Sequence, residues 1–236
     1  MRGATVGWFD PKLDQGKRNA YRAHSHSTQV TSWIWRHPAL QQSWITGRVP
    51  AVAKSPVYNA DHEAFRDVVR RFVQKEIEPF AHEWDEAGTF PRELYRKAAE
   101  IGLLGLGFPE EYGGTPCDNF MWIVSVQELA RAGAGGVSAS LKSNSIGAPP
   151  IARAGTPEFK AKVLPEILSG EKISALAITE PSGGSDVANL RTSARREGDV
   201  YVVNGEKTFI TSGMRADYIT TAVRTGGPGP GGVSML

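Results

Sequence analysis

The sequence predicts an α+β chain: an all-helical unit over residues 55–173, followed over 174–236 by a β region that is still incomplete at its last residue. Three observations predict this. Apolar residues recur at three- and four-residue spacing from Asn59 onward, short β-branched and aromatic runs parted by glycines replace that period after Ile173, and a new strand opens at Val233 just before the chain stops. Residues 1–54 fit neither part. They carry Trp8, Trp33, Trp35 and Trp44 and a basic excess opposed only by Asp10 and Asp14, with no sustained period, so they are expected to be a poorly ordered extension that is removable without unfolding the rest. A targeting segment, an added interaction module and translation from upstream of the true start are the competing origins.

Asn59 can cap the first helix, whose buried face is Phe65, Val68, Val69, Phe72, Val73 and Ile77, with Arg66, Asp67, Arg70, Arg71 and Lys75 opposite. Pro91 opens a second helix through Glu100, stopped by Gly102. Phe120, Ile123, Val124, Gln127 and Leu129 mark a third. Residues 138–152 read as a fourth, interrupted by Pro149 and Pro150, and Thr156-Pro157 opens a fifth that Pro165 must kink and Gly170 stops. Strands are expected over 175–179, 201–203, 208–211 and 218–223, with Asn204-Gly205 as a hairpin turn.

Composition excludes several classes. At 236 residues, 40% hydrophobic and 22% charged, the chain has the makeup of an ordinary globular protein, and a net charge of +2 gives no reason to expect nucleic acid as a partner. Cys117 is the single cysteine, so no internal disulfide can form and a reducing compartment is expected. The nearly apolar run 101–108 is too short to span a bilayer, so no membrane partner is expected. His24 and His26 lack a third ligand nearby, so no metal site is expected. The glycines at 102–107 lack the dinucleotide-binding spacing, and the 226–232 loop lacks the lysine of a phosphate-binding P-loop.

The most informative stretch is Ala177-Ile178-Thr179-Glu180-Pro181-Ser182-Gly183-Gly184-Ser185-Asp186, where hydroxyls and adjacent glycines leave a short apolar strand and can turn backbone N–H groups toward an anion. A second stretch follows, Lys207-Thr208-Phe209-Ile210-Thr211-Ser212-Gly213. Taken in order, the two resemble the signature and the flavin-contacting strand of the acyl-CoA dehydrogenase family. The resemblance covers residues 57–236, including Phe-Pro-Arg-Glu-Leu at 90–94, Gly-Leu-Leu-Gly at 102–105 and Pro-Glu-Glu-Tyr-Gly-Gly at 109–114; Asn189 departs from the small residue usual there.

The resemblance implies a helical domain, a middle β-domain and a C-terminal helical bundle, the last missing from this sequence. It implies FAD, with Leu176, Ile178 and Thr179 lining the flavin and Gly184 and Ser185 reaching its pyrophosphate or the bound thioester. Phe209 is then placed at the isoalloxazine rim, Ile210 beside it and Thr211 near the reactive nitrogen. The implied reaction is α,β-dehydrogenation of an acyl-CoA thioester to 2-enoyl-CoA, with a glutamate base expected beyond Leu236 and Glu180 in a structural place. The implied partners are an acyl-CoA substrate, an electron-transferring flavoprotein as acceptor and a second copy in a homo-oligomer. The cytoplasm is the expected compartment, or the mitochondrial matrix if residues 1–54 are a transit peptide. A flavin oxidase or monooxygenase of the same fold and a non-catalytic fragment are the alternatives. Both motifs are expected to border one cleft, and Thr192, beyond the signature, is expected to be solvated.

Overall fold

The computed structural model describes residues 57–236; the expectations for the extension and for His24 and His26 lie outside the described residues. The first helix, α1 (Ala60–Glu76), begins as expected. Asn59 accepts the His62 N–H at 2.9 Å, while its own N–H reaches His62 Nδ1 at 3.1 Å, a reciprocal cap with histidine in the usual glutamate place. Val69, Phe72, Val73 and Ile77 are buried; Phe65 and Val68 are half-buried at the edge. A short helix, α2 (Ala81–Ala87), was not foreseen, because its seven residues are too few to show a period; Gly88 ends it at φ 64°. Next come α3 (Glu93–Glu100) and α4 (Asn119–Ala130), the latter capped by Asp118, whose carboxylate also takes His62 Nε2 at 2.9 Å and so ties two helix starts together.

The expected fourth helix is instead three: α5 (Gly135–Leu141), α6 (Asn144–Gly147) and α7 (Pro149–Ala154). Pro149 opens α7 rather than interrupting a helix, since its ring cannot follow a regular turn but its fixed φ suits a first position. The break brings α6 directly onto the sheet. A Cβ on Gly147 would lie 2.8–3.0 Å from the Ala175 backbone, so only glycine permits that approach. The helix α8 (Pro157–Leu168), capped by Thr156, runs on through Pro165, which forfeits the bond to the Ala161 carbonyl.

The sheet contains β1 (Ser174–Ala177), β2 (Ser193–Glu197), β3 (Val200–Asn204), β4 (Tyr218–Arg224) and β5 (Val233–Met235). Parallel pairing joins β4 to β1 (Ser174 opposite Tyr218) and, at Arg224, to β2; β5 and the β2–β3 hairpin are antiparallel. Two expectations fail here. The hairpin turns at Gly198-Asp199, with Gly198 at φ 62°, and Asn204 is the last residue of β3, opposite Ser193. Residues 208–211 form no strand: Phe209 and Ser212 take φ of 56° and 63°, values no strand residue adopts. Ile173 joins the helical core of Val69, Ile77, Leu94 and Leu129, and Tyr218 packs beside Val163 and Ile167, so the β region shares both cores with the helices.

Candidate functional site

The two motifs are tied together where β1 ends. The Thr208 N–H donates to the Thr179 carbonyl at 2.9 Å, and Lys207 Nζ donates to the Ile178 carbonyl and to Glu180 Oε1, each at 2.9 Å. Glu180 also accepts the N–H groups of Arg191 at 2.6 Å and Thr192 at 2.8 Å. Its own backbone closes a tight turn with Gly183, both bonds 3.0 Å. Thr192 is buried, contrary to expectation, and its hydroxyl donates to the Glu206 carbonyl at 3.3 Å. Against it lies Gly205 at φ 146°, where a Cβ would come within 2.6 Å of the Thr192 Cα. The Asn-Gly pair thus serves a close approach of two backbones, not a turn.

Burial pushes the Glu180 carboxyl up, but the Lys207 ammonium and the bonds from Thr192 and Arg191 outweigh it and bring it from the ordinary 4.5 down to about 2. With a depressed folded value, its stabilising contribution is fully present above about pH 4.5 and is lost as pH falls through about 2. Acid unfolding should therefore cost the wild type on the order of 1–3 kcal/mol more over that window than it costs Glu180→Gln. Urea midpoints at pH 5 and pH 3 check this; parallel pH slopes for the two proteins would contradict it.

Beyond the tie, Ala177, Thr208, Phe209, Thr211, Ile219 and Thr221 line an open groove of about 680 Å³. Phe209 is 92% exposed and Met214 97%, an unusual display of large apolar side chains, the first held out by its own left-handed backbone. The hydroxyls of Thr179, Ser185 and Thr211 make no side-chain hydrogen bond among the described residues. Of the expected site residues, Phe209, Ile210 and Thr211 share this groove, whereas Leu176, Ile178, Thr179, Gly184 and Ser185 do not line it. Leu176 pairs with Thr220, whose hydroxyl donates to the Gly147 carbonyl at 2.6 Å, so both occupy the helix-facing side of the sheet. Ile178 is half-buried in the next position of the same parity, Gly184 packs over the Thr179 side chain, and Ser185 sits on an exposed loop.

The turn after Thr211 is seated on the helices. Ser212 Oγ is 3.1 Å from Ser140 Oγ and 3.4 Å from the Tyr95 hydroxyl, and Arg215 stacks 4.2 Å over the Phe90 ring while donating to its carbonyl at 2.8 Å. Trp84, Phe90, Val137, Ser140, Ile210 and Ser212 line a second, open pocket of about 340 Å³ there. Lys207, Thr192, Ser212 and Arg215 were missed as site-building residues; the lysine heading the second motif was the one available signal, since its long stem can reach back to the acid of the first.

The sequence matches the family models for the acyl-CoA dehydrogenase N-terminal domain over residues 59–171 and middle domain over 175–236. It is 41% identical over 169 residues to the 3-(aryl)acrylate reductase of Clostridium sporogenes, covering 71% of this chain and 45% of that one. A Mycobacterium smegmatis structure described as an acyl-CoA dehydrogenase superposes with a TM-score of 0.74 at 54% identity, covering 77% of this chain and 48% of its own. A Bacillus anthracis acyl-CoA dehydrogenase solved with FAD matches with a TM-score of 0.64 at 34% identity, over 72% of this chain and 30% of its own. The chain spans less than half the length of the curated relative. Its helical unit, its mixed sheet and the two motifs joined through Lys207 and Glu180 belong to one architecture, and the chain is a member of the acyl-CoA dehydrogenase family, whose cofactor is FAD.

Proposed function

We propose that residues 57–236 hold one side of an FAD site in an enzyme that removes the α- and β-hydrogens of an acyl-CoA thioester, giving the 2-enoyl-CoA. The observation that carries this reading is the tie between the motifs, which fixes the segment before Phe209, holds Phe209 out exposed and leaves the hydroxyls of Thr179, Ser185 and Thr211 without a hydrogen-bond partner among the described residues. A flavin fits that donor set. Its ring offers a flat apolar face for Phe209 and a polar edge for the threonine hydroxyls, and its pyrophosphate suits the glycine loop at 183–185. Bound FAD supplies the acceptor for the electron pair of the oxidised carbon–carbon bond.

The chain's own residues orient and shield. Thr211 donates at the ring edge, Phe209 covers the rim against water, and Ser185 faces the pyrophosphate or the thioester. Glu180 is unsuited to be the base that takes the α-proton, because it is ionised far below neutral pH and already holds three donors. We therefore place the base beyond Leu236, and we propose an electron-transferring flavoprotein as acceptor, a homo-oligomer as the working assembly and the cytoplasm as compartment, or the mitochondrial matrix if residues 1–54 are a transit peptide. Among the described residues no helix is long and apolar enough to cross a membrane.

Removing a hydroxyl that pairs with bound flavin costs about 1–3 kcal/mol, roughly fivefold to a hundredfold in affinity. In the full-length protein Thr211→Val should release FAD accordingly, while Ser193→Ala, an exposed hydroxyl at a 3.5 Å contact, should not. Flavin retained after gel filtration measures it, and equal retention in the two variants would remove Thr211 from the site.

A further inference from the structure

Arg224 and the glycine-proline loop 226–232 that follows it have no part in the site as described above. Arg224 ends β4, where it pairs with Ser193 of β2 and its N–H donates to the Thr192 carbonyl at 2.7 Å. Its half-buried guanidinium meets no carboxylate among the described residues; it is held by main-chain carbonyls. Nε donates to Leu190 at 3.0 Å, Nη2 to Ala188 at 2.6 Å, and Nη1 to Gly227 at 2.6 Å and Gly229 at 3.2 Å. The glycines make this possible. Gly229 takes φ 83°, and a Cβ on Gly232 would lie 1.9 Å from the Gly227 oxygen and 2.9 Å from Nη1. The loop therefore folds into a cup of carbonyl oxygens around the guanidinium, opposite in polarity to a loop that turns N–H groups on a phosphate.

The other two carbonyls lie at the exit of the first motif. Among the described residues, the stretch 184–190 takes no other hydrogen bond from outside itself, since Asn189 and Leu190 bond only back to Asp186 and Val187. Glu180 brackets the ends of the loop, through Gly183 on one side and Arg191 and Thr192 on the other. Arg224 fixes the path between them, three residues beyond Ser185. We infer that Arg224, seated in the carbonyl cup, is a positioning residue: it sets where the N–H groups of 183–187 and the Ser185 hydroxyl meet a diphosphate, that of FAD or of a CoA thioester. This rests on the dehydrogenase reading. Arginine is required by geometry rather than by charge. Its planar fork spans carbonyls of two loops at once, whereas a lysine carries its donors on one atom and cannot reach both.

The test uses Arg224→Lys in the full-length protein, which keeps the charge and loses the fork, with Arg224→Gln in its place if the lysine variant does not fold. Arg195→Met is the control, an exposed side chain paired with Glu197. Hydrogen exchange reads the clamp without any ligand: the amides of 183–190 should exchange about tenfold faster or more, while those of β1 keep their wild-type rates. FAD titrated into apoprotein, followed by its fluorescence, should then bind about tenfold more weakly, which assigns the FAD diphosphate to the loop. Alternatively FAD stays bound and KM rises about tenfold at nearly unchanged kcat, for a thioester that bleaches the wild-type flavin, which assigns the diphosphate of CoA. Wild-type exchange over 183–190 overturns the clamp. Faster exchange with wild-type FAD affinity and KM overturns the positioning role, leaving an arginine that serves only the fold. If the wild type binds FAD but no thioester bleaches it, the dehydrogenase reading fails, and exchange with FAD affinity still decides for or against Arg224.

Discussion

Lys207→Met should unfold at markedly lower urea, losing about 3–5 kcal/mol, and should release FAD in the full-length protein. The side chains of Lys207 and Glu180 are 10% and 5% exposed, so removing the ammonium leaves an ionised carboxylate buried against two backbone N–H groups with no counter-charge. It also frees the Ile178 carbonyl and leaves the Thr208 N–H as the remaining bond from β1 to the segment that delivers Phe209 and Thr211. The double variant Glu180→Leu with Lys207→Met removes both charges and should recover part of the stability, since the uncompensated charge is the largest cost. It should not recover flavin, because Lys207 no longer holds the segment to the end of β1. Loss of under about 1 kcal/mol with flavin retained would mean that the ion pair does not hold the motifs together.

A loss of similar size but different character is expected at Glu128. Its side chain, 3% exposed, accepts from Arg70 at 3.0 Å twice and from Arg66 at 3.2 Å, joining α1 to α4. Burial raises its pKa, but Arg70 and then Arg66 win and hold it below the usual carboxylate range. Glu128→Ala leaves two arginines facing each other and a void between the helices, a cost of about 3–5 kcal/mol. Because the cluster lies in the helical unit away from both motifs, the folded fraction should still retain flavin like the wild type. Urea unfolding paired with flavin content per folded molecule separates the two variants; flavin loss in Glu128→Ala beyond its unfolded fraction would contradict the division of roles.

The pattern of what the sequence revealed follows from where local preference and tertiary contact agree. The face of α1 and its Asn59 cap are local, and they were legible. So was the first motif, whose Glu180 was placed as structural from its position and is held by three donors. The stretch Thr208-Phe209-Ile210-Thr211 reads as a strand because all four residues favour one, but its conformation is set by distant anchors, Ser212 on Ser140 and Arg215 on Phe90. Strand β2, Ser-Ala-Arg-Arg-Glu, carries almost no apolar signal since only Ala194 is buried. Thr192 looked solvated because its burial comes from Gly205, thirteen residues away, pressing on its backbone.

Anaerobic titration of the FAD-loaded full-length protein with a series of acyl-CoA thioesters tests the central claim most directly. Bleaching of the oxidised flavin absorbance by at least one thioester, with the matching 2-enoyl-CoA formed in equal amount, is the result expected. A flavin that stays oxidised with every thioester, in a protein that retains FAD, would contradict it.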